Sequence, residues 1–189
     1  IANFYCELAA GEMAHSRNQS AREYLDKALD VSRKCVRANI LLGDLAASEG
    51  ELATALEVWK RIEQQNPVYL ALVAVRLMDG YRRLGQIEHG IQLLRSYLAQ
   101  HPSLDLLDTV FQWEMEKEGP HAAYQLVRDE LGRNPTLLGL DKLLEAALLS
   151  VTPEQRKDIE RVKGLVHSHT RRVARYRCDD CGFKARQFY

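Results

Sequence analysis

Cys178-Asp179-Asp180-Cys181-Gly182-Phe183 are the residues of this chain whose types and spacing are best suited to chemistry. Two thiolates in a C-x-x-C spacing on a tight turn can chelate one tetrahedral ion, and the following glycine permits the backbone twist that turns amides toward the sulfurs. Glycine and an aromatic after the second cysteine suit a metal knuckle, not the helix that carries a thioredoxin-like redox pair. A closed structural site takes four ligands, and a second C-x-x-C would normally supply the other two. The expectation is therefore one zinc or iron ion in a four-cysteine site, with Cys178 and Cys181 as two of its ligands and the other pair outside these 189 residues. Four thiolates accept either metal.

Other reactive side chains carry less. His167 and His169 stand two positions apart on a helical pattern, so their imidazoles point to different faces and are expected to meet solvent. Cys6 and Cys35 fall in amphipathic helical segments with no partner motif and are expected to pack as small hydrophobes. Trp59, Trp113 and the tyrosines recur at core spacing. There is no Gly-rich phosphate loop, nucleophile elbow or His-Glu-x-x-His, so no catalytic residue is expected and the chain reads as a binding scaffold.

Composition sets the frame for these residues. With 46% hydrophobic and 28% charged residues the chain can bury a sizeable core. No run of 18 apolar residues is present to cross a membrane as a helix. Formal net charge is zero, but residues 161–189 hold eight Lys/Arg against Asp179 and Asp180, a surplus of six positive charges that residues 1–160 balance. Arg171, Arg172, Arg175 and Arg177 in that stretch are favourable against the dipole of a helix ending there. Two cysteines in C-x-x-C and two elsewhere suit a reducing compartment better than a disulfide scaffold. The chain opens at Ile1 inside a helical pattern and closes beside half a motif, and is expected to be part of a longer protein.

The elements that must position these residues repeat. Pro67, Pro102 and Pro135 follow Asn or His at intervals of 35 and 33. Ahead of Pro67 run Leu42-Gly43, Ala46, Gly50, Ala55, Trp59 and Ile62. These occupy the consensus positions of a tetratricopeptide repeat, in which a small residue of the first helix meets a small residue of the second. Gly43 is expected to face Ala55, Ala9 to face Ala21, and Met78 to be matched by Gly90 across the third contact. The fourth unit pairs Phe111 with Ala123 around a Gly119-Pro120 turn. Helix pairs are predicted at 2–33, 36–66, 71–101, 104–134 and 136–173, the last opened by Thr152-Pro153-Glu154 at its second helix and polar enough to cap the array. The predicted class is all-α, a superhelical tetratricopeptide solenoid over 1–173, followed by an incomplete metal-binding domain over 174–189.

The order of these repeats, a basic helix and Tyr176-Arg177-Cys178-x-x-Cys181-Gly182-Phe183 resembles the lipopolysaccharide assembly protein B family of Gram-negative bacteria. Asn3-Phe4-Tyr5-Cys6-Glu7-Leu8-Ala9, the stretch Cys35 to Asp44 and Tyr81-Arg82-Arg83-Leu84-Gly85 carry the same resemblance. It implies an N-terminal membrane anchor and further repeats before Ile1, and a rubredoxin-like domain completed after Tyr189. It also implies a function, that of an adaptor on the cytoplasmic side of the bacterial inner membrane. Such an adaptor regulates lipopolysaccharide synthesis by directing the protease FtsH onto the lipid A deacetylase LpxC, alongside other inner-membrane lipopolysaccharide-assembly proteins.

On that reading the first helix of each pair lines the partner groove through Arg37, Asp44, Asp79, Arg82, Arg83, Asp105, Asp108 and Gln112. Their mixed charge does not match a Lys/Asn carboxylate clamp, so a folded or internal segment is the expected guest. Two alternatives stand beside the adaptor. A zinc-ribbon nucleic-acid binder would use the basic tail and lose affinity steeply with salt, although few aromatics are there to stack and no nucleic acid is expected. A rubredoxin-type electron-transfer module would use the iron form.

Overall fold

The computed structural model describes residues 1–171, together with the backbone of 176–177 and 184–185. Among the described residues ten α-helices follow one another as five consecutive pairs: α1 (Ala2–Ala14) and α2 (Asn18–Val31), α3 (Val36–Ser48) and α4 (Leu52–Gln65), α5 (Ala74–Arg83) and α6 (Ile87–Gln100), α7 (Leu104–Lys117) and α8 (Pro120–Arg133), and α9 (Leu137–Ala147) and α10 (Pro153–Thr170). The fold is of the tetratricopeptide type, with the predicted number and order of helices. The third pair begins differently from expectation. Residues 67–73 form a 3-10 segment, opened by Asn66, whose side chain accepts from Val68 N at 3.1 Å, and α5 starts only at Ala74. Two short strands, β1 (Tyr176–Arg177) and β2 (Lys184–Ala185), pair antiparallel with Tyr176 opposite Ala185.

The turns inside the first three pairs are one motif repeated. The N–H of Arg17, Glu51 and Gln86 donates to the carbonyl of Glu12, Ala46 and Tyr81 at 2.9, 2.9 and 2.8 Å. The preceding N–H of Ser16, Gly50 and Gly85 donates to Met13, Ala47 and Arg82. This is the Schellman closure, and it needs a left-handed residue just past the helix end. Gly50 (φ 85°) and Gly85 (φ 70°) take that conformation without cost, whereas the first turn imposes it on Ser16 (φ 58°). The second helices also end alike. Asn66, His101 and Asn134 leave α4, α6 and α8 with φ of −161°, −130° and −132°, out of the helical region, as the following prolines require.

The chain divides into two compact units, Ile1–Val110 and Phe111–Tyr189. In the first, α1 packs on α2, α3 on α4 and α5 on α6, and neighbouring pairs meet through α1–α3, α2–α3 and α4–α5. Cys6, Ala9, Ala21, Leu25, Ala28, Ala38 and Leu45 form one buried cluster across the first joint. The predicted trade of volume in the third pair is present: a Cβ on Gly90 would stand 2.9 Å from Met78 Sδ. In the second pair the contact differs from the prediction. The atoms nearest Gly43 belong to Trp59, one turn beyond Ala55, and a Cβ there would lie 2.2 Å from Nε1. The missing side chain admits an indole, whose Nε1 donates to the Ile40 carbonyl at 3.3 Å.

In the second unit α8 packs on α9 and α9 on α10. Phe111 and Ala123 are both buried, with Lys142 Nζ 4.2 Å from the Phe111 ring centroid. Thr136 caps α9 by accepting from Gly139 N at 3.0 Å. Thr152, Pro153 and Glu154 open α10 as predicted, without a side-chain cap bond. Asp141 ties the last two helices together, its Oδ2 bonded to Thr170 Oγ1 and His167 Nδ1 at 2.9 Å each. Although α10 is polar, it leaves Val162 and Leu165 exposed.

Candidate functional site

The first helix of each pair carries the predicted partner face, and the structure shows most of its charges already paired. Arg37 on α3 reaches back to Glu7 on α1, Nη2 to Oε1 at 2.7 Å. Asp44 on α3 takes a two-point contact from Arg76 on α5, with Nε donating to Oδ1 at 2.7 Å and Nη2 to Oδ2 at 3.0 Å. On α5, Asp79 accepts from Arg82 Nη2 at 2.6 Å. Ion pairs therefore run across both joints from one first helix to the next. Such pairs sit partly in water and contribute little energy singly, but a fork-to-carboxylate contact fixes geometry. Arg83 and Gln112 are exposed, while Asp105 and Asp108 are intermediate in burial.

Glu7 and Arg76 are members of this face that the sequence reading missed. Each stands about one repeat before or after its partner, 30 residues from Arg37 and 32 from Asp44. That near-period spacing was the available signal.

A second feature was also missed. The end of α2, the residues that follow it, the first turn of α3 and the end of α4 form an open cleft of about 450 Å³ lined by Leu29, Arg33, Lys34, Asn39, Arg61, Gln64 and Gln65. Elsewhere in the first unit, Arg17, Arg22, Arg37, Lys60, Arg76 and Arg82 each pair with a carboxylate. Arg33, Lys34 and Arg61 line this cleft, and none of the described ion pairs is theirs. Three cations with amide groups beside them can hold an anionic group by charge-assisted hydrogen bonds.

The metal expectation falls mostly outside what is described. Cys178 and Cys181 lie outside the described residues; the strands β1 and β2 flank residues 178–183 on either side. Among the described residues no group of three or more His, Cys, Asp or Glu could hold a metal ion. His167 is bonded to Asp141, and His169 Nδ1 lies 2.8 Å from the Leu165 carbonyl, so the two rings have separate partners. No described helix is long and apolar enough to cross a membrane.

Cys6 and Cys35 pack as expected, Cys6 in the buried cluster of the first joint and Cys35 against it, but the placement of Cys35 differs. Cys35 is not inside a helix but at the N-cap of α3, and its Sγ lies 3.9 Å from Cys6 Sγ. Burial, then the neighbouring thiol, pushes the Cys6 thiol up to about 12.

No family model matches the chain. It is similar over its whole length to proteins named lipopolysaccharide assembly protein B. With that of Escherichia coli (strain K12) it shares 27% identity over 190 residues, covering 100% of this chain and 49% of the relative. With that of Haemophilus influenzae it shares 26% over 187 residues, covering 97% and 46%. The chain thus spans about half the length of the curated relatives it matches. Among solved structures it resembles MamA, with TM-score 0.52 and 11% identity over 91% of this chain and 94% of that one. It also resembles a set of nearly identical TPR-like repeats from Podosopora anserina, with TM-score 0.50 and 14% identity over 90% and 96%. These likenesses establish the fold alone.

Proposed function

We infer that this chain is part of a non-catalytic scaffold in lipopolysaccharide assembly, acting as an adaptor on the cytoplasmic side of the bacterial inner membrane. It promotes proteolysis of the deacetylase LpxC by FtsH, and its other contacts are with inner-membrane lipopolysaccharide-assembly proteins. The single observation that carries this reading is whole-length similarity to lipopolysaccharide assembly protein B, which includes the repeat array and the terminal C-x-x-C together. The fold supports it, because stacked helix pairs offer long protein-binding surfaces and no catalytic group was found in the sequence.

The two surfaces divide the work of binding. The ion-paired face of the first helices presents fixed, alternating charge, which suits a folded guest. Arg33, Lys34 and Arg61 offer surplus positive charge to a partner's carboxylates. Cys178 and Cys181 supply two thiolates of a four-cysteine zinc or iron site whose role is structural, holding together the segment that includes the paired strands β1 and β2.

The test is capture from detergent-solubilised membranes with the complete protein as bait. LpxC and FtsH are expected to co-purify, and Arg33→Glu with Arg61→Glu is expected to weaken capture of at least one of them while far-UV helicity is unchanged. Recovery of nucleic acid with a steep salt dependence, and of neither protein, would replace the adaptor reading with the nucleic-acid one. Iron in the purified protein that cycles between two oxidation states would favour electron transfer.

A further inference from the structure

Cys6 and Cys35 are 29 residues apart in sequence, and their sulfur atoms lie 3.9 Å apart across the joint between the first two helix pairs. Cys6 projects from the middle of α1 into the buried cluster of Ala9, Ala21, Leu25, Ala28, Ala38 and Leu45 and is itself fully buried. Cys35 is differently placed. It precedes α3 with an extended backbone (φ −66°, ψ 101°) and is partly exposed; its N–H donates to the Ser32 carbonyl at 2.9 Å, and its carbonyl accepts from the N–H and Nδ2 of Asn39 at 3.2 and 3.0 Å. A disulfide needs sulfurs about 2.05 Å apart, so the pair must close by about 1.9 Å. The short segment between α2 and α3 can supply that movement; the packed turn of α1 cannot.

We propose that Cys6 and Cys35 form a peroxide-oxidised dithiol, closing to a disulfide that clamps the first helix of one pair to the start of the next.

The chemistry has an order set by burial. Cys35, the exposed member, meets the hydroperoxide first. With hydrogen peroxide its thiolate attacks one oxygen; the S–O bond forms, the O–O bond breaks and hydroxide leaves. The Cys6 thiolate then attacks the Cys35 sulfur; the S–S bond forms, the S–O bond breaks and a second hydroxide leaves. The protons shed by the two thiols convert both hydroxides to water, so two thiols and one peroxide give one disulfide and two waters. Burial keeps the Cys6 thiol protonated at neutral pH, which shields it from direct oxidation and makes the second step speed up as pH rises. The pair is separate from Cys178 and Cys181, which are engaged by a metal on the reading above.

The experiment treats the whole chain with hydrogen peroxide, quenches with an alkylating agent and digests it without reductant. Trypsin cuts after Arg17, Lys34 and Arg37, so the expected product is the peptide that ends at Arg17 joined to the peptide 35–37. It should form also in the Cys178→Ser, Cys181→Ser background, form faster at pH 8.5 than at pH 7, and vanish with dithiothreitol. The oxidised protein should melt about 5 °C higher than the reduced one, because the cross-link restricts the unfolded chain. Cys35→Ser keeps the buried position intact, so it should fold as wild type and yield neither the linked peptide nor the shift in melting temperature. Oxidation of Cys35 to sulfinic acid with no linked peptide would overturn the proposal. So would Cys35 linked mainly to Cys178, to Cys181 or to a second molecule.

Discussion

At the scale of single residues, the structure separates positions where one atom matters from positions where it does not. Gly43 leaves no room for a Cβ because the Trp59 indole fills the space, whereas nothing lies within 4 Å of a Cβ on Gly11. Gly43→Leu is therefore expected to lower the unfolding free energy by about 1–3 kcal/mol or more, by overpacking. Gly11→Ala is expected to raise it by about 0.5–1 kcal/mol, since alanine stiffens an exposed helical position without a clash. Urea unfolding of the two variants reads both signs at once. Ser16→Gly removes the cost of a left-handed serine and is expected to add up to about 1 kcal/mol. The register of these contacts was legible in the sequence, since the Leu-Gly and turn-glycine positions recur. The neighbour of Gly43 was not, because spacing places a residue on a face and does not say how far a large ring leans. Cys6 adds a pH dependence. Its folded thiol titrates near 12 while an unfolded one titrates near 9, so above pH 9 the unfolded state holds fewer protons and stability falls as pH rises toward 12. Cys6→Ala is expected to flatten that decline in unfolding free energies measured across the range.

At the scale of elements, helix pairs are closed by turns and joined by ion pairs, and the two were unequally visible beforehand. The turns could be read because proline and glycine announce them: Pro67, Pro102 and Pro135 forbid a helical residue before them, and Gly50 and Gly85 supply the left-handed cap. Even so, the 3-10 stretch over 67–73 was missed, because its apolar residues also fit an early start to α5. For the pairs Glu7–Arg37 and Asp44–Arg76 the near-period spacing was the one signal, and it does not single out a partner, since each joins side chains on different helices. Asp44, expected in the groove, is held by Arg76 instead of standing alone there. A double-mutant cycle with Asp44→Ala and Arg76→Ala is expected to give a coupling of about 0.2–1 kcal/mol in unfolding experiments, shrinking as salt is raised. A coupling of zero at low salt would mean that the two-point contact between α3 and α5 does not form in solution.

At the scale of the whole molecule, the helix pairs carry the stability, and the proposed function adds the terminal thiolates to them. Within each unit the helices bury apolar surface against one another, so they are expected to persist without a metal, and a chelator is expected to leave the far-UV helical signal largely intact. Loss of most of that signal would make the thiolate site a condition of folding. The functional reading rests on the same division: helix pairs to bind, and a terminal knuckle to hold a fixed relation between two bound proteins and so raise their effective concentration. The most direct measurement is the rate at which FtsH degrades LpxC in lipid vesicles, with and without the complete protein. The rate is expected to rise when the protein is present and to fall back when Cys178 and Cys181 are both replaced by serine, with helicity retained. An unchanged rate of LpxC loss on adding the intact, metal-loaded protein would contradict the adaptor account.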